Sequence, residues 1–119
     1  MHVSGCWRGF WDQAGLGRQP MRELTLHFAD GEIEGRGVDV VGRFTFRGKY
    51  NDAGAVTLFK QYRHHAVRYA GNYDGEGTIF GEWTIGAFWR GKFALSPERF
   101  TAPLDMAITD IAAETDNRQ

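Results

Sequence analysis

One five-residue pattern recurs along the chain: a large apolar residue, any residue, glycine, any residue, an aromatic. It stands at Trp7-Arg8-Gly9-Phe10-Trp11, Phe46-Arg47-Gly48-Lys49-Tyr50, Tyr69-Ala70-Gly71-Asn72-Tyr73 and Trp89-Arg90-Gly91-Lys92-Phe93. Ile79-Phe80-Gly81-Glu82-Trp83 is a fifth copy, with isoleucine in the first place. Alternate residues of an extended strand share a face, so the apolar residue, the glycine and the aromatic point the same way. Glycine weakens a strand interior, and its recurrence on one face needs a cause. A closed barrel supplies one. Its strands coil tightly and its large rings converge on a narrow interior, where a glycine leaves room for a ring from the next strand and permits the bend.

The same period of two runs from residue 6 to residue 95 and predicts eight strands, near 6–12, 21–28, 32–37, 42–50, 55–62, 65–73, 78–85 and 88–95. Turn chemistry fills the gaps. Asp30-Gly31 tolerates the positive φ angles of a tight hairpin, and Asn51-Asp52-Ala53-Gly54 and Asp74-Gly75-Glu76-Gly77 act alike. Connections this short pair sequential strands antiparallel. No ten-residue helical pattern interrupts the series, which excludes parallel βαβ units. The expected fold is all-β: an eight-stranded antiparallel up-and-down barrel over about residues 5–96 of a single domain. A repeat array of the MORN type also mixes tyrosine, glycine and aromatics. The copies here start 39, 23 and 20 residues apart, and a solenoid needs a fixed period.

Composition narrows the class. Sixteen glycines among 119 residues could mean flexibility, but 9 Phe, 4 Tyr and 4 Trp give the chain surface to bury. No apolar run approaches the ~20 residues of a membrane span, so no membrane contact is expected. No secretory signal precedes Trp7, and one cysteine, Cys6, suits a reducing compartment. The expected location is cytoplasmic. Cys6 lies opposite Trp7 and is read as a small packing residue. Ser96-Pro97-Glu98 looks like a helix start. A C-terminal segment over 97–113 is expected to cover the outside, with a frayed tail at 114–119.

Gly5-Cys6-Trp7 in the first strand matches the Gly-x-Trp of lipocalins and avidins. Tyr73-Asp74 followed by Gly81-Glu82-Trp83-Thr84-Ile85 resembles the avidin hairpin in which a Tyr-Asp turn leads to a Gly-Trp strand. On these motifs the chain resembles the calycin-like barrels, and the length suits the avidin-like end. The resemblance implies the fold, a barrel whose interior is filled by side chains or holds one small ligand, and no binding residues. The polar biotin contacts that avidins carry after the first tryptophan are not matched, since Gly9 and Gln13 stand there.

Inward parity singles out a few polar side chains. Lys60 shares a face with Val56, Leu58 and Tyr62. A buried ammonium needs a partner, a barrel mouth or a ligand. Asp39, in Gly35-Arg36-Gly37-Val38-Asp39-Val40-Val41-Gly42, is the candidate partner, or else a turn cap. A site built from these residues has Asp39, Lys60, Tyr62, His65, Tyr69 and Tyr73 at one end of a cavity, walled by Trp7, Trp11, Trp83 and Trp89. His64 and His65 point to opposite faces and make a poor metal pair, so no metal or cofactor is expected.

The leading expectation is a barrel that binds a small apolar or aromatic ligand. Neither a nucleophile elbow nor a phosphate loop is present. A carboxylate, a lysine and tyrosines leave a cofactor-free isomerase or cyclase as a second reading. Net charge is −1, yet residues 36–68 carry seven basic side chains against Asp39 and Asp52. A third reading is therefore an interaction module that binds an acidic partner through Arg43, Arg47, Lys49, Arg63 and Arg68, with nucleic acid disfavoured. Phe59, Phe80 and Phe88 have outward parity and point to association of copies, or to cover by Phe100, Leu104 and Ile108.

Overall fold

A computed structural model describes residues 3–98. It contains eight strands: β1 (Gly5–Gln13), β2 (Gly17–Ala29), β3 (Glu32–Val38), β4 (Arg43–Tyr50), β5 (Ala55–Gln61), β6 (Ala66–Tyr73), β7 (Ile79–Ile85) and β8 (Trp89–Pro97). Each pairs antiparallel with the next, and β1 pairs with β8, so the barrel is closed. No helix occurs among the described residues. The rest of the expected C-terminal segment, 99–113, and the tail at 114–119 lie outside them.

The turns follow the local chemistry. Asp30 and Gly31 have φ of 54° and 79°, the positive pair that lets a two-residue hairpin match the twist of its strands. The β1–β2 connection is shorter than the alternation predicts, because Gly15 and Gly17, both at φ 85°, turn the chain within residues 14–16. As a result β2 starts at Gly17 rather than near 21 and takes in Pro20. Proline is tolerated there because β3 first meets β2 at Arg22, so Pro20 has β1 on one side and no ladder on the other. Past Arg22, β2 bulges at Glu23, whose φ is 53°.

Two local expectations are corrected. Ser96 and Pro97 do not start a helix. They pair with Arg8 and Trp7 and complete β8, with proline at the strand's last position. Cys6 is exposed, because β1 turns Trp7 inward and its neighbour therefore outward.

The core is the barrel interior. Trp7, Trp11, Leu24, Leu26, Ile33, Phe44, Phe46, Leu58, Tyr69, Trp83, Phe93 and Leu95 are all buried there. Most of the in-strand glycines act by a different route from the one expected. A β-carbon at Gly48 would strike the carbonyl oxygen of Thr57, and one at Gly71 that of Phe80, so these glycines let neighbouring backbones close up. At Gly91 both reasons hold, because a β-carbon would strike the Asp12 carbonyl oxygen and the Trp83 indole.

An up-and-down barrel has two unlike ends. Connections 14–16, 39–42, 62–65 and 86–88 gather at one end, and 30–31, 51–54 and 74–78 at the other.

Candidate functional site

Below the first end sits a buried ion pair. Lys60 is 1% exposed, and its Nζ lies 2.6 Å from Asp39 Oδ2. Lysine stands on the inward face of β5 because the strand alternates Val56, Leu58, Lys60 with outward neighbours. Asp39 arrives from the tight β3–β4 connection, one strand over from β5, where its backbone N–H and carbonyl both bond to Gly42 at 3.0 Å. Both roles open to Asp39 are filled, one by each oxygen. Oδ1 caps the turn, accepting from the Val41 N–H at 2.9 Å and the Gly42 N–H at 3.4 Å. Oδ2 accepts from Lys60, from the Tyr62 hydroxyl at 2.7 Å and from the Trp11 indole N–H at 3.1 Å. Lys60 also donates to Tyr69 Oη at 3.0 Å.

Aromatic rings complete the surroundings of the ammonium. Nζ lies 4.2 Å from the Phe44 ring centroid, 5.1 Å from that of Tyr62, 5.3 Å from Tyr69 and 5.5 Å from Trp11. These faces attract a cation that has lost its water. Burial pushes the Lys60 pKa down to about 8 against the opposing pull of Asp39. For Asp39, burial alone would raise the carboxyl, but the bonds from Lys60 and Tyr62 and the lysine charge outweigh it and hold it below the usual range. Burial, then the bond to Asp39, raises the Tyr62 hydroxyl. Burial and the Asp39 charge raise that of Tyr69. Both phenols therefore remain protonated at neutral pH.

A cavity of about 90 Å³ opens over this network at the barrel end. Trp11, Tyr62, Tyr69 and Trp83 form its walls with Val67, while Gln13, Val41, His65 and Ile85 form its rim. His65 stacks on Tyr62 with centroids 4.9 Å apart. The Trp11 and Trp83 rings meet edge to face at 6.2 Å, and the Trp83 indole N–H is fixed by the Asp12 carbonyl at 2.8 Å.

The structure thus brings together Asp39, Lys60, Tyr62, His65, Tyr69, Trp11 and Trp83. Three expected residues stand elsewhere. Tyr73 is six residues along β6 from Val67, the cross-strand partner of Lys60, and so lies at the far end. Trp7 is also there, packed on Phe28 at 5.4 Å with its indole N–H bonded to the Val3 carbonyl. Trp89 keeps the parity of Phe93 but occupies the last rung of β7–β8, where it is 61% exposed and walls nothing. Phe44, Val41, Gln13 and Ile85 join the site without having been expected. Val41 was within reach of the sequence, since it shares a connection with Asp39. No family model matches the chain, and neither does any curated protein.

Proposed function

We propose that the barrel binds a small apolar or aromatic group in the cavity at its Asp39–Lys60 end. The observation that carries this reading is an aromatic-walled opening above an ion pair whose bonds are already made within the protein. Asp39 accepts five donors, so it serves as a fixed floor rather than as a base in search of a proton. That favours binding over an isomerase or cyclase. A volume of about 90 Å³ admits a few non-hydrogen atoms, either a small molecule or one end of a larger one. Trp11 and Trp83 line the cavity and supply a signal.

Titration with phenol and with indole-free aromatic probes such as toluene is expected to quench tryptophan fluorescence saturably. Val41→Trp narrows the rim without touching the core, since Val41 is exposed. Trp83→Phe alters the wall. Each is expected to weaken binding about tenfold, the effect of some 1.4 kcal/mol of lost contact. Absence of a saturable signal, or the parent's affinity in both variants, overturns the reading. Association of copies through Phe59 and Phe80, both about half exposed on the outer face, is a separate part of the proposal and is tested by native mass spectrometry. Phe88 belongs to the β7–β8 connection instead and does not share their face.

A further inference from the structure

The two ends of the barrel differ in charge as well as in place. The first end, residues 12–18, 39–43, 61–66 and 85–90, carries Arg18, Arg43, Arg63 and Arg90, against the buried Asp39 and Asp12, which stands opposite Arg18 across β1–β2. None of the four arginines has a carboxylate at ion-pair distance among the described residues. Arg43 and Arg63 line an outer-rim groove of about 410 Å³ with Arg36 and one acid, Glu23. The second end, residues 29–32, 50–55, 73–79 and 96–98, carries six acids from Asp30 to Glu98 and no lysine or arginine.

Apolar exposure follows the same division. Leu16, Val40, Val41, Ile85, Phe88 and Trp89 are exposed and lie on or directly beside three connections around the cavity mouth. Phe88 is 91% exposed at the tip of its turn. The connections of the second end carry no such residue, and Val3, just before β1, is the exposed apolar residue at that end. The described chain also leaves the barrel at that second end, where the Glu98 N–H bonds the Cys6 carbonyl.

We propose that the apolar, arginine-collared end docks on the surface of an anionic lipid bilayer, with Phe88 and Trp89 entering the interface. Aromatic tips with basic neighbours suit the boundary between headgroups and acyl chains. Arginines beside them attract anionic headgroups, while the acidic end faces away. Separate apolar tips on three loops fit a deformable interface better than a protein face, which needs about 800 Å² of matched surface per partner. No helix among the described residues is long and apolar enough to cross a membrane, and the contact proposed is peripheral. The absence of a spanning run, which led to the expectation of no membrane, does not bear on it. The proposal stands apart from ligand binding in the cavity, since vesicle binding is read without a small ligand.

The test is co-sedimentation of the full chain with phosphatidylcholine vesicles, with and without phosphatidylserine. The expected result is binding to the phosphatidylserine vesicles that weakens with added salt, with a blue shift of tryptophan emission. Phe88→Ser with Trp89→Ser is expected to reduce that binding at least about tenfold. Arg63→Gln with Arg90→Gln is expected to remove the preference for phosphatidylserine. Both pairs are exposed, so the fold tolerates them. Asp52→Asn with Glu76→Gln, at the other end, is expected to bind as the parent does. Failure to sediment with either vesicle overturns the proposal, as does binding that ignores the Phe88 and Trp89 changes. So does self-association in solution that the Phe88 and Trp89 changes abolish, which would assign this end to a second copy.

Discussion

Asp39 is the residue on which the interior depends. Its two oxygens take five donors from a turn, an indole, a phenol and an ammonium. Asp39→Asn would leave Lys60 buried without a counter-charge, and the expected loss is about 3–5 kcal/mol by urea denaturation. Asp39→Asn combined with Lys60→Met removes both charges while an amide oxygen remains for the Trp11 indole and the Tyr62 hydroxyl, and is expected to recover part of that loss. A single and a double variant of equal stability would contradict the pairing. Stability also follows pH through both members. The Asp39 carboxyl sits below its ordinary value in the fold, so its contribution is complete above the ordinary carboxylate range and disappears as pH falls through the lowered value. Lys60 sits at about 8, below its ordinary 10.5. Between those values the unfolded chain holds a proton that the barrel has released, so stability rises with pH across that window. Denaturation midpoints from pH 7 to about 9.5, below the range in which the raised Tyr62 and Tyr69 hydroxyls act in the opposite sense, check this in the parent and in Lys60→Met, the rise being expected in the parent alone.

Elements show which glycines the strands require. Gly48→Ala and Gly71→Ala press a methyl group onto a neighbouring carbonyl, and each is expected to cost about 1–3 kcal/mol. Gly75→Ala has open space and a φ of 83°, so its cost is the left-handed backbone alone, about 1–2 kcal/mol. Melting curves of the three variants rank them. Seven strands were legible to within two residues, because alternation and Asp-Gly or Asn-Asp turns agree wherever both occur. The start of β2 was not, since Pro20 argues against a strand unless one side of it has no partner. Lysine in an apolar series and aspartate among glycines made the ion pair legible. Parity reports which face a side chain takes but not how far along the barrel it sits. Trp7, Tyr73 and Trp89 therefore shared the parity of the site and not its end. Phe44 comes within 4.2 Å of the ammonium as a diagonal neighbour across β4–β5, where Phe46 stands opposite Lys60, and neither strand alone encodes that register.

At the scale of the whole molecule, closure through β1 and β8 removes both edges of the sheet. Amide exchange is expected to find Arg8 to Phe10 and Lys92 to Ala94 as protected as the rungs of β4 and β5, within about tenfold in rate. Fast exchange along β1 and β8 alone would indicate an open sheet. The same closure has a consequence during synthesis. Of the eight strands, β1 leaves the ribosome before the others and waits for residues 89–97 before its second partner exists. At ~5–20 residues per second that delay is about 4–20 seconds. For that interval the nascent chain presents a long apolar strand with one side unpaired. Its need for a chaperone is therefore set by the speed of translation rather than by the stability of the finished barrel.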